Sequence, residues 1–193
     1  MYRTPAFAVD DQRWCVDFIK RYNFGLFQLG GQTTPMAFVM DEAQQVLFGH
    51  LARANPQAGR VQNGAGATAF FLGPHGYVSP SCYEAPAVPT WNYQAVEVRG
   101  SLKLIDGEGL TTWLARLVRQ EEAAIGGTWS MDQLPEGHVE KLHKAIVGFE
   151  LSIESLQGKA KLSQNKSVDD QDRVVAAFHA RGLHALAGAM QES

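Results

Sequence analysis

Side chains able to hold an anion cluster at two places in the 193-residue chain. The first is Gly49-His50-Leu51-Ala52-Arg53-Ala54-Asn55-Pro56, where Arg53 offers a planar fork of donors matched to phosphate and His50 and Asn55 stand close to it in sequence. The second comprises Lys159, Lys161, Ser163, Gln164, Asn165 and Lys166. Residues 73–93, GPHGYVSPSCYEAPAVPTWNY, hold four of the eight prolines together with Tyr77, Tyr83, Trp91, Asn92 and Tyr93. Two donor clusters plus an aromatic, proline-constrained loop are the parts needed to hold a flat, phosphorylated aromatic molecule.

Other chemistries find less support. There are six histidines, but His138 and His143 are five apart, as are His179 and His184. On a continuous helix such pairs diverge by about 140°, so neither pair is expected to share a metal, and neither Cys15 nor Cys82 has a CxxC partner. No G-x-S-x-G elbow surrounds Ser79 or Ser81, which read as loop residues bonding to backbone. Gly64 and Gly66 fit neither the Walker spacing nor the dinucleotide spacing.

The elements that must position these groups follow from periodicity. Asp10 is the expected N-cap of a helix to Tyr22, with Trp14, Phe18 and Tyr22 recurring at i, i+4 and i+8. Short apolar runs at 24–29, 36–40, 45–49 and 67–72 read as strands, and the prolines of 73–93 are expected to exclude regular structure there. Val96, Val98, Leu102 and Leu104 alternate with polar residues, and Gly100 marks a bulge or a close backbone approach. Leu110, Trp113, Leu114, Leu117 and Val118 trace an amphipathic helix, and a weaker one covers His138 to Lys144. Val147, Phe149, Leu151 and Ile153 form the cleanest strand signal, and a last helix runs from about Val168. The pattern describes a single α+β domain over 1–193, built on a small barrel, with N-terminal helix, inserted helices at about 107–144 and C-terminal helices at about 168–190.

Charge and composition bound the function. Lys and Arg number 17 against 20 for Asp and Glu, so the net charge of −3 gives no general attraction to nucleic acid. No basic stripe and no short glycine turn between amphipathic helices is apparent, which makes direct DNA binding doubtful. Two cysteines do not make a disulfide framework, no apolar run approaches the ~20 residues of a membrane span, and the N-terminus lacks the pattern of a secretory signal. The cytoplasm is the expected compartment.

The strings GHLARANPQ (49–57), GPHGYVSP (73–80), VPTWNYQAVEVRGSL (88–102) and IVGFELSIESLQGKAKLSQN (146–165) closely resemble the PaiB-type family of FMN-binding negative transcriptional regulators. That resemblance, which covers nearly the whole chain, implies a split β-barrel of the pyridoxamine-phosphate-oxidase-like kind, a homodimer and FMN at the subunit interface. It assigns Arg53 and Lys161 to the phosphate with Ser163 in support. Asn92, Gln164 and His50 are then hydrogen-bonding partners of the flavin ring or ribityl chain, and Trp91 and Tyr83 pack against it. Two positions depart from the family pattern: Cys82 and Ala58 stand where tryptophan is usual. Flavin chemistry needs no protein nucleophile, so a flavin-dependent oxidoreductase is the alternative to a regulator. A haem-binding or haem-degrading barrel, with His50 or His75 as ligand, is the weaker alternative.

Overall fold

A computed structural model describes residues 1–192. The two-residue period read from Val96 onward is part of a longer strand, β7 (Thr90–Ile105), which lies between β6 (Gly66–Val78) and β8 (Ile146–Lys161). These three long strands form the spine of an antiparallel eight-stranded sheet. The others are β1 (Ala8–Val9), β2 (Phe24–Leu29), β3 (Gln32–Ala37), β4 (Val39–Asp41) and β5 (Val46–Ala52), in the order β3-β2-β6-β7-β8-β5-β4, with β1 paired to β8. The sheet curls until β3 comes against β5 without a hydrogen-bonded ladder between them, so the barrel is split at that seam.

Alternation fills the interior. Phe27, Phe38, Phe71 and Phe149 are fully buried, Phe27 stacks on Phe149 with ring centroids 4.5 Å apart, and Phe38 meets Phe71 edge-on at 5.3 Å. At Gly100 both sequence-based readings hold together. The β7–β8 register shifts between Arg99 and Gly100, and a Cβ there would lie 1.8 Å from the Ser152 carbonyl oxygen.

Residues 73–93 depart from expectation. β6 continues through Gly73 and Pro74 to Val78, absorbing the proline in a register shift between Leu72 and His75, and β7 already begins at Thr90. A proline is tolerated at such a bulge, where no ladder hydrogen bond is required of it. The irregular segment is thus only 79–89.

Helix α1 (Gln12–Arg21) is capped by Asp11, not Asp10, whose side chain accepts from the Arg13 and Trp14 amides. Between β7 and β8 lie α2 (Gly107–Ile125) and α3 (His138–Ala145), and the chain closes with α4 (Val168–Ala180) and α5 (His184–Gln191). The α4–α5 junction corrects two readings. Arg181, Gly182 and Leu183 form a tight turn, Gly182 at φ 74°, so a short glycine turn between helices does exist. However, α5 has no lysine or arginine and spends Leu186, Ala187 and Met190 on the core, which leaves no basic face for a DNA groove. The same turn brings His179 and His184 together, their Nδ1 atoms 3.1 Å apart, which a continuous helix would forbid.

Candidate functional site

β7 and β8 deliver their polar ends to one place. Tyr93 pairs with Lys161, so Thr90, Trp91 and Asn92 at the start of β7 face the segment that follows β8. A cavity of about 570 Å³ opens there between Phe7, the 79–89 loop and residues 161–166. Its volume is that of a small-molecule site. Lys161 and Lys166 both line it, and no Asp or Glu among the described residues does.

The Lys161 ammonium donates to Thr90 Oγ1 and to the Trp91 carbonyl oxygen (3.1 Å). Burial pushes its pKa below the usual lysine value, and Lys159 lowers it further. A half-buried ammonium held this way gains from an anion beside it. Lys166 Nζ lies 4.5 Å from the Tyr83 ring centroid. Tyr83 lines the cavity, and its buried hydroxyl has no hydrogen-bond partner among the described residues. Leaving such a group unsatisfied costs about 1–3 kcal/mol.

Ser163 adopts the left-handed region, φ 67°, rare for a residue with a Cβ. Asn92 is fully buried and holds it there, its amide donating to Ser163 Oγ (2.9 Å) and to the Met190 sulfur (3.4 Å). Asn92 therefore shapes the wall through Ser163, its amide engaged internally. Gln164 is likewise engaged: its Oε1 accepts from the Leu162 amide (2.7 Å) and its Nε2 donates to the Ala160 carbonyl (2.6 Å), a clamp that ends β8. Loop residue Glu84 is tied to α4 through its amide, which donates to Asp170 (3.0 Å).

The first donor cluster is elsewhere. His50 pairs with Gly148, thirteen residues before Lys161 on the same strand, or roughly 40 Å of extended chain. Within one chain the structure gathers Tyr83, Asn92, Lys161 and Ser163 and leaves His50 and Arg53 out. Arg53 donates from Nε to the Lys144 carbonyl (3.0 Å) and from Nη2 to the Ile146 carbonyl (2.7 Å), covering the end of α3. A cation at a helix C-terminus is favourably placed. His50 has a buried Nδ1 without a hydrogen-bond partner among the described residues, and burial lowers its pKa, disfavouring the charged ring.

Trp91 is outside the cavity lining: it alternates with Thr90 and Asn92, so its half-exposed indole lies on the other face of β7, edge-on to Tyr77 at 6.0 Å. Ala58 is buried in the main core, and Cys82 packs against the cluster that contains Tyr83. The sequence reading left Phe7, Thr90 and Lys166 out of the site. Lys166 belonged to the donor string, but nothing in the spacing placed it over Tyr83. Among the described residues no group of three or more His, Cys, Asp or Glu is arranged to hold a metal, and no helix is long and apolar enough to cross a membrane.

The donor chemistry fits a phosphorylated flavin. Two ammonium groups suit the phosphate, while Phe7, Pro86, Ala87 and Val88 give an apolar side for a ring; the Ser163 hydroxyl is engaged with Asn92, donating to its Oδ1 at 3.2 Å.

Comparison with known proteins gives concordant results. The family model described as "Putative FMN-binding domain" matches residues 1–155. The "Protease synthase and sporulation protein PAI 2" of Bacillus subtilis is 30% identical over 181 residues, covering 91% of this chain and 87% of that protein. Among solved structures, the flavocytochrome Anf3 of Azotobacter vinelandii superposes with a TM-score of 0.65 at 17% identity, covering 89% of this chain and 78% of that one. The FAD and heme binding protein of Mycobacterium smegmatis gives 0.63 at 16% identity, covering 88% and 79%. At such identities the two structures speak for the shared α+β split barrel alone.

Proposed function

Because the chain belongs to the PaiB-type family of FMN-binding domains, we propose that it binds a flavin, FMN, with the phosphate at the Lys161 cavity. The observation that carries this reading is a site-sized cavity with two lysines and, among the described residues, no Asp or Glu, walled on its other side by apolar residues. Lys161 and Lys166 hold the phosphate, Ser163 shapes the wall beside it, and Tyr83 borders the ring. A bound flavin supplies hydride or single-electron transfer. The protein's part is to grip the anion, shield the ring and set access to it.

The protein functions as a homodimer in this reading. Leu26 pairs with Phe70, and Phe24 and Leu72 follow one step further along the same outer face, with Phe24, Leu26 and Leu72 all exposed. An exposed apolar sheet face of this kind suits a second copy. His50 and Arg53 meet the cofactor only if that second copy brings them.

Regulation, if it is the protein's role, proceeds through flavin occupancy and a partner protein, because α5 offers no cationic reading face. The absorption spectrum of the protein as isolated, or after loading with FMN and desalting, tests the cofactor directly. Retained flavin absorption at up to one FMN per chain supports the proposal, and its complete loss on desalting together with no saturable titration overturns it. Reduction of the loaded protein by NADPH at a useful rate would favour the oxidoreductase reading over the regulatory one.

A further inference from the structure

Helix α1 and helix α5 line opposite sides of a second cavity, of about 520 Å³. From α1 come Trp14, Phe18 and Tyr22, an aromatic ladder in which Trp14 stacks on Phe18 at 5.0 Å and Phe18 contacts Tyr22 at 4.8 Å. From α5 come His184 at its start and then Ala185, Gly188 and Ala189, these three a face of minimal side chains. Gln94 of β7 lies between them.

Two independent observations mark this slot as a binding site. Gln94 is only 9% exposed, yet its side chain makes no hydrogen bond among the described residues, and its polar atoms are open to the cavity instead of sealed in the core. The amide's donor and acceptor are therefore free to pair with a matching ligand edge. Gly188 sits mid-helix, where glycine is unfavourable, and a Cβ there would meet nothing within 4 Å. The position is thus empty where a larger side chain would fit without clash, and glycine keeps the slot open.

The chemistry of the walls defines the occupant. A glutamine amide presents a donor and an acceptor side by side, complementary to another amide or to a lactam. An aromatic wall facing an alanine and glycine wall suits a planar ring. The charged residues at the cavity, Asp17, Arg21 and Glu192, are of both signs, and Asp17 is already paired with Arg13 at 2.9 Å, so an anion gains no net attraction there. We propose that the slot between α1 and α5 binds an uncharged planar heteroaromatic molecule bearing a carboxamide or lactam edge, which Gln94 reads. The slot shares no lining residue with the lysine-lined cavity, and this inference does not rest on flavin binding.

The test uses the full-length protein, with and without FMN, and two probes, nicotinamide for the carboxamide edge and hypoxanthine for the lactam edge, with pyridine as the ring lacking either. Saturation-transfer NMR and calorimetry are expected to show saturable binding of at least one probe, tenfold or more tighter than pyridine. Gln94→Leu should weaken that binding at least tenfold. Gly188→Leu, whose Cβ meets nothing within 4 Å and whose longer side chain extends into the slot, should abolish it while leaving the melting temperature unchanged or higher. Lys161→Ala should leave it intact. Failure of both probes to saturate at millimolar concentration, or binding that survives both slot variants, overturns the proposal, whatever FMN does at the other cavity.

Discussion

Replacing Lys161 by methionine keeps the length of the side chain and deletes its charge, and the structure predicts a loss of ligand affinity with little change in fold stability. Removing a charge-assisted contact to a phosphate costs about 1.5–3 kcal/mol, or roughly 10- to 150-fold in Kd. Lys161 is only partly buried, so solvent screening places the expectation near the lower end, about tenfold. Stability without ligand should change little, within about 0.5 kcal/mol. The lost hydrogen bonds to Thr90 and Trp91 are offset by relief of an ammonium that burial and Lys159 disfavour. The assay is flavin fluorescence titration of FMN alongside urea unfolding of the unliganded protein. The pH dependence follows from the lowered pKa. Between the folded value and the unfolded 10.5, the unfolded chain binds more protons, so unliganded stability should rise with pH while FMN affinity falls as the ammonium neutralises. Unchanged FMN affinity in Lys161→Met, or a loss matched by the unfolded fraction, refutes the placement of the phosphate.

Four further outcomes are expected. Gly100→Ala should destabilise the protein by more than about 4 kcal/mol in urea unfolding, because the new Cβ would fall 1.8 Å from the Ser152 carbonyl oxygen at the β7–β8 bulge. Arg53→Ala should cost about 1–2 kcal/mol, since it uncovers the Lys144 and Ile146 carbonyls, with preferential loss of hydrogen-exchange protection in α3. His50 has a folded pKa below 6.5, so the unfolded chain takes up a proton first on acidification. Its contribution to stability should be lost as the pH falls below 6.5, and His50→Gln should flatten that part of the stability profile. Cys15 is fully buried with its pKa pushed up to about 11, so a thiol reagent at pH 8 should modify Cys82 in the native protein and reach Cys15 only on unfolding.

Much of the fold is legible in the sequence because each face of a strand or helix has one destination. The alternation from Val96 to Leu104 and from Val147 to Ile153 marks the two strands that carry the sheet, and Leu110 to Val118 marks the helix over its far end. What periodicity cannot report is how far a strand runs once its pattern weakens. β6 through Pro74 and the last third of β8 were hidden for that reason, since ladder hydrogen bonds and a bulge sustain them without alternation. The same blindness merges the two donor clusters into one site. Arg53 follows β5 and Lys161 ends β8, but only the register shows that Arg53 sits beside the opposite end of β8 from Lys161. Asn92 and Gln164 illustrate a further limit, because a polar side chain in a ligand-like string is equally able to serve its own backbone and neighbours. Tyr83 and Lys166 became a pair only through the turn at Ser163, whose positive φ no sequence pattern announces.

Titration of the unliganded protein with FMN and, in parallel, with riboflavin isolates what the phosphate contributes. The lysine-lined cavity predicts that FMN binds at least tenfold more tightly than riboflavin, that the difference narrows as salt is raised, and that it nearly vanishes in a Lys161→Met, Lys166→Met double variant. Equal affinity for the two flavins, or a preference for FMN that the double variant retains in full, contradicts it.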